Sequence, residues 1–238
     1  MKRKSLQFVI RTCILLIIIL NTNLKAFNQV GQTEGFAKFQ ADFISAIHDD
    51  SFRGFTLTEK DIAGSPYLSN EFILGLVMTN DNVTYAGIPL RYNIFNDEME
   101  FKISNDTILS ITNPEIIKEI KFGDESFIYH KVNNKKGGYY SLRSTGKVQL
   151  LAKYKIIFNP AKEPEPYKEA TPPTFSKKST TYCIKLEDAD PVLINNNKDI
   201  ENAFGKESDE ILGIIKKNKL NVKKEKDLIQ LVQLINQK

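Results

Sequence analysis

The run IPLRYNIFNDEMEFKI (Ile88–Ile103) decides the fold. Ile88, Leu90, Tyr92 and Ile94 alternate with Pro89, Arg91 and Asn93. Asn96 and Asp97 then interrupt, and Met99, Phe101 and Ile103 alternate with Glu98, Glu100 and Lys102. A period of two puts successive side chains on opposite faces, so each half reads as a strand with one apolar face. Asn and Asp tolerate positive φ and bond their own backbone, as a tight reversal demands. The stretch therefore predicts an antiparallel hairpin burying one side.

The same grammar extends in both directions. Glu71–Thr79 precedes Asn80-Asp81-Asn82 and a strand over Val83–Phe95; Glu98–Ile103 precedes Ser104-Asn105-Asp106 and Thr107–Thr112. Pro114–Ile120 and Ser126–Val132 flank Gly123-Asp124, Tyr139–Arg143 follows a Lys- and Gly-rich turn, and Lys147–Phe158 is the longest run, with Leu150, Ala152, Tyr154 and Ile156 on one face. Connections this short join antiparallel neighbours, since a parallel crossover needs a dozen or more residues. The fold expected is mainly β with a C-terminal α-helical segment: an antiparallel meander over residues 55–194, curled into a roll or sandwich. Residues 160–173 hold five of the nine prolines and are read as a loop laid over the sheet, because Thr181–Leu186 and Val192–Ile194 still need strands to join.

After Asn195 the period becomes helical. Lys198–Phe204 forms one short helix. Ser208 caps a second, with Asp209 and Glu210 in its first turn and Lys216, Lys217 and Lys219 at its end. Lys223–Asn236 makes a third with a stripe of Leu228, Ile229, Leu231, Val232 and Ile235. Residues 195–238 are thus a helical cap. Six lysines between Lys216 and Lys226 read as solvated helix ends. In residues 27–54, Phe36, Phe39, Phe43 and Ile47 fit one helical face.

Residues 1–26 have the form of a secretory signal: Lys2, Arg3 and Lys4, an apolar run from Cys13 to Leu20, and Ala26 at the cut. That run is too short for a hydrocarbon layer of about 30 Å. Cleavage after Ala26 leaves no integral membrane span and predicts a periplasmic or envelope-associated protein. The full chain of 238 residues carries 33 Lys and Arg against 29 Asp and Glu, net +4; five of those cations and no acid lie in the leader, so the remainder is net −1. Nucleic acid then loses its electrostatic motive. Cleavage also removes Cys13 and leaves Cys183 without an intramolecular partner. Cys183 reads as a small half-buried strand residue, with a reactive thiol as the alternative.

The segments GSPYLSNEF (Gly64–Phe72), IPLRYNIFNDEMEFK (Ile88–Lys102), LLAKYKIIF (Leu150–Phe158) and IKKNKLNVKKEKDLIQLVQLIN (Ile215–Asn236) resemble an uncharacterised exported protein family common in Bacteroidota. The resemblance covers roughly residues 58–236, with PLRYNxxNDEMEFK its most specific piece; Phe27–Thr56 has no counterpart. It implies export and transfers no activity, cofactor or catalytic residue.

Catalytic, cofactor-binding and metal residues are not assigned. Walker and Rossmann glycine patterns and a GxSxG elbow are absent from the sequence, and two His with two distant Cys make no zinc ribbon. The surface candidates are Arg91, Asp97, Glu98, Glu100 and His130. Glu98 and Glu100 share a solvated strand face with Arg91 as cross-strand partner, Asp97 belongs to a turn, and His130 is one of two imidazoles. Tyr67, Tyr92, Tyr139 and Tyr140 serve sheet packing or floor a groove. The function expected is a non-enzymatic envelope protein that docks a protein partner or a second copy. The alternative is a module binding a glycan or lipid fragment. An enzyme would need Asp97, Glu98, Glu100 or His130 to converge in one cleft.

Overall fold

The computed structural model describes residue 39 and residues 62–104, 107–131, 137–164, 169–187 and 189–237. Residues 1–26, expected from sequence to be a signal, and residues 27–54 apart from Phe39 lie outside the described residues. Ten strands form one antiparallel sheet: β1 (Ile73–Thr79), β2 (Thr84–Asn93), β3 (Glu98–Ser104), β4 (Thr107–Ser110), β5 (Ile117–Phe122), β6 (Glu125–His130), β7 (Gly138–Ser144), β8 (Val148–Lys155), β11 (Ser179–Leu186) and β12 (Val192–Leu193). The short strands β9 (Phe158–Asn159) and β10 (Thr174–Phe175) pair with each other. The sheet order is β12-β11-β8-β7-β6-β5-β1-β2-β3-β4. The protein is therefore mainly β, as the alternation requires. Asn82 and Asp97 hold the left-handed backbone of the hairpin turns, with φ of 63° and 58°.

One continuous meander is not what forms. β5 pairs with β1 rather than β4, so two runs of hairpins are joined at their first strands. Pro114, read from sequence as the start of a strand, instead opens a single 3-10 turn over Pro114–Ile116. That turn carries the chain back across the sheet, and Asn80 holds it by donating from its backbone to Ile116 (2.9 Å) and from its side chain to the Glu115 carbonyl (2.7 Å).

Two apolar cores result. The larger gathers Val77, Leu90, Tyr92, Met99, Phe101, Ile120, Phe127 and Tyr139 from one face of the sheet. Phe39, helical and wholly buried, enters it edge-on to Tyr85 and Phe101. The smaller forms where α1 (Asn197–Phe204), α2 (Ser208–Asn218) and α3 (Glu225–Asn236) cover Val148, Leu150 and Ile184. Leu228, Leu231 and Val232 of α3 are fully buried there, each contributing roughly 1.5–3 kcal/mol. β8 is covered on both faces at its start, since Leu150 and Leu151 are both buried. Among the described residues no helix is long and apolar enough to cross a membrane.

Three local expectations change. Ser208 is the first residue of α2, entered directly from a 3-10 turn, and makes no side-chain cap; Asn196 caps α1 instead, in a reciprocal box with Asp199. The proline-rich stretch is in part a ladder, in which β9 pairs β10 and Lys162 bridges Thr171, with Phe158 and Phe175 packed on Phe95. Glu100 is buried rather than solvated.

Candidate functional site

Arg91 lies directly opposite Glu100 in the β2–β3 register. Its Nη2 and Nε donate to Glu100 Oε2 at 2.6 and 3.0 Å, and Asn93 Nδ2 donates to Oε1 at 3.0 Å. The guanidinium lies 3.5 Å from the Tyr67 ring centre and 4.4 Å from that of Phe72. A planar cation suits both tasks at once, forking onto a carboxylate while stacking on rings. The pair is buried because the segment holding Tyr67 and Phe72 folds over it, pinned by Leu68 N–H to Tyr92 O (3.0 Å) and Ile94 N–H to Pro66 O (2.8 Å). Periodicity gave the face of Glu100, and nothing in it announced this cover. Arg91 and Glu100 thus have every strong group committed to the fold.

Asp97 is committed in another way. One carboxylate oxygen accepts from Tyr92 Oη (2.6 Å) and the Tyr139 backbone N–H (3.2 Å), while the other accepts from Lys153 Nζ (2.6 Å). The β2–β3 turn is thereby tied to β7 and β8, far away in the strand order, a contact compatible with a curled sheet. Gly138 is required beside it: a Cβ there would fall 2.5 Å from both Asp97 Oδ2 and Lys153 Nζ. Burial and the Asp97 carboxylate push the Tyr92 hydroxyl far above its ordinary range, so it acts purely as a neutral donor.

Next to this tie is a cleft of about 520 Å³, lined by Asp97, Glu98, Ser110–Thr112, Pro114, Glu115, Tyr129, Lys131 and Tyr139. Three distant segments build it: the β2–β3 turn, the loop from β4 to β5, and the facing ends of β6 and β7. Ile111 N–H bonds Met99 O (2.9 Å) and fixes the loop wall. Glu98 accepts from Ser110 Oγ (3.1 Å), and no basic side chain pairs with it among the described residues. Glu115 is paired with the exposed Lys131 at 3.3 Å.

Tyr139 is 3% exposed, its ring wedged between Tyr92 and Tyr129. Among the described residues its hydroxyl has no hydrogen-bond partner. Burial raises its pKa, and Asp97, Tyr129, Glu98 and Glu115 raise it further. All four of those groups line the cleft, as Tyr139 itself does. A buried hydroxyl left without a partner costs roughly 1–3 kcal/mol.

His130 stands apart from the cleft lining, with Nε2 3.0 Å from Asp190 Oδ1. Of the five candidates, then, Asp97 and Glu98 come together, while Arg91, Glu100 and His130 do not join them. Tyr67 stacks on Arg91, Tyr92 packs in the core, Tyr140 lies 4.9 Å under the Lys153 ammonium, and Tyr139 lines the cleft. Cys183 is buried, its thiol pushed up to about 11 mainly by desolvation.

A second polar cluster escaped sequence reasoning. Tyr154 Oη donates to Glu125 Oε1 (2.6 Å), Ser141 Oγ bonds the same carboxylate, Arg143 sits 3.3 Å from Glu125 and 2.9 Å from Glu225, and Tyr182 Oη donates to Glu225 (3.0 Å). It joins the sheet to the first turn of α3. Period two places Ser141 and Arg143 on one face, but Glu225 comes from a helix whose docking no local pattern specifies. Comparison with family models, curated proteins and solved structures finds no match, so the site is read from its own residues alone.

Proposed function

We propose that this chain is an exported protein of the cell envelope that works by docking a protein partner or a second copy of itself, and that the Tyr139 cleft is the point of docking. Export rests on the leader-like residues 1–26 and on the resemblance described above; both await N-terminal sequencing of the isolated protein, with Phe27 expected first.

The observation that carries docking is the cleft built from three separate segments, whose wall holds Glu98 with no basic partner among the described residues. A group from outside that entered the cleft would supply that partner. Around it the other carboxylates are occupied, Asp97 by Lys153 and Glu115 by Lys131, so the arrangement favours binding over turnover. Affinity capture from the native envelope with the wild-type protein and with Glu98→Lys tests this. A recurrent partner lost in the variant is expected; an identical set from both would refute the reading. The cleft volume, about 520 Å³, also falls in the range of about 300–1,000 Å³ typical of small-ligand sites, which favours a glycan or lipid fragment as the second reading.

A further inference from the structure

We propose that the lysine-rich turn joining α2 to α3 docks on the anionic headgroups of a membrane surface. The inference concerns the helical cap and goes beyond the docking role of the Tyr139 cleft, so either can fail without the other.

Lys216, Lys217, Lys219, Lys223, Lys224 and Lys226 fall within eleven residues that hold one acid, Glu225. All six are exposed, and among the described residues none of their ammonium groups enters an ion pair. Glu225 is turned onto the sheet, 2.9 Å from Arg143 and 3.0 Å from Tyr182. The next acid, Asp227, accepts from the Asn221 backbone N–H at 2.9 Å. Lys198 of α1 joins the group, since it lines one recess of about 560 Å³ with Lys223. Residues 216–226 carry +5, whereas residues 27–238 carry −1 in all, so the rest of that chain is net −6. The positive charge is therefore gathered at one place and left unbalanced there.

The helix dipole accounts for only half of this. Lys216, Lys217 and Lys219 stand at the C-terminus of α2, where cations are favourable. Lys223, Lys224 and Lys226 stand at the N-terminus of α3, where the same dipole disfavours them. Lys224 occupies the N-cap itself, a position suited to Ser, Thr, Asp or Asn, and makes no side-chain cap. A local rule broken without a compensating contact is the mark of a functional surface, and three exposed cations of this kind call for an anionic partner outside the chain.

The residue types select that partner. The sequence has no Arg after Arg143 and no aromatic after Phe204. The surface thus lacks the planar forks that grip single carboxylates of a protein, and the rings on which unpaired bases stack. Lysine ammoniums are point charges on flexible stems. They suit a diffuse layer of phosphate groups, as at an anionic bilayer, which draws in clustered lysines without fixed geometry.

The test is co-sedimentation of the protein, purified as exported, with phosphatidylcholine vesicles with and without phosphatidylglycerol, at low and high salt. Binding is expected only to vesicles that hold phosphatidylglycerol, and should be lost at high salt. Combining Lys223→Gln, Lys224→Gln and Lys226→Gln should weaken it about a hundredfold, at about fivefold per lysine near the surface. Lys155→Gln, Lys162→Gln and Lys177→Gln together remove the same charge from exposed positions outside the cap and should leave binding nearly unchanged. The urea midpoint of the first triple variant should equal or exceed that of wild type, because the charges removed oppose the α3 dipole. A lower midpoint would make these lysines structural and overturn the proposal. So would binding that ignores phosphatidylglycerol, no binding at all, or an equal loss in the two triple variants. A DNA duplex that binds through these lysines while the vesicles do not would show that the membrane is the wrong partner.

Discussion

Removing the Asp97 carboxylate should loosen the fold more than any other single change in a turn. Asp97→Ala strips the partner from the Oη of Tyr92, a residue 1% exposed, at roughly 1–3 kcal/mol. It leaves Lys153 with the Tyr139 carbonyl at 2.8 Å and the face of the Tyr140 ring at 4.9 Å. Breaking a fully buried ion pair costs about 3–5 kcal/mol, and because the Lys153 side chain keeps 25% of its exposure, about 1–2 kcal/mol is the apt share. Alanine at a φ of 58° adds about 1 kcal/mol. The total, about 4 kcal/mol, is a large part of the 5–15 kcal/mol that typically holds a domain. Asp97→Asn keeps an acceptor and tolerates the left-handed backbone, so about half that loss is expected. Equilibrium urea unfolding followed by circular dichroism measures both. If both variants stay within about 1 kcal/mol of wild type, well inside the sum of these costs, the tie between the β2–β3 turn and β7–β8 is not what closes this end of the sheet.

Phe39→Ala should cost about 3–5 kcal/mol, as for any fully buried phenylalanine, and a urea midpoint equal to wild type would mean that Phe39 does not sit between Tyr85 and Phe101. Gly138→Ala should separate Asp97 from Lys153, since its Cβ would occupy their contact; loss of stability comparable to Asp97→Asn, read in the same assay, is expected. Tyr92 and Tyr139 have folded pKa values raised above the unfolded 10.0, so above that pH the unfolded chain releases protons that the folded one retains. Their contribution is complete below pH 10 and declines as pH rises, at about 1.4 kcal/mol per pH unit for each, and a stability flat to high alkali would contradict their burial. Cys183 should react with an aromatic disulfide far more slowly in the folded protein than in urea at neutral pH; equal rates would return the thiol to the reactive reading.

Much of the architecture is local and therefore legible. The alternation in Ile88–Ile103, with Asp97 at the turn, fixes a hairpin without knowledge of anything else, and the stripe of Leu228, Leu231 and Val232 fixes a helix that buries one side. What stayed hidden is non-local. The return of β5 to β1 depends on pairing between segments far apart in sequence, although the six residues between Ser110 and Ile117 were already long for a hairpin loop. The site divides along the same line. Asp97 and Glu98 stood among the surface candidates, whereas the cleft that they share with Tyr139 became visible only once the sheet brought three separate segments together. Glu100 showed its cross-strand partner but not its burial, because the cover comes from the irregular stretch around Tyr67.

The docking role is tested most directly by a photo-cross-linking residue placed at Thr112, on the cleft wall, and separately at Leu74, 62% exposed on the sheet surface and outside that cleft. In cells that make the protein, illumination should join one recurrent protein, or a second copy, to the Thr112 variant and leave the Leu74 variant free. Cross-links from Leu74 alone, or none from Thr112, would contradict it.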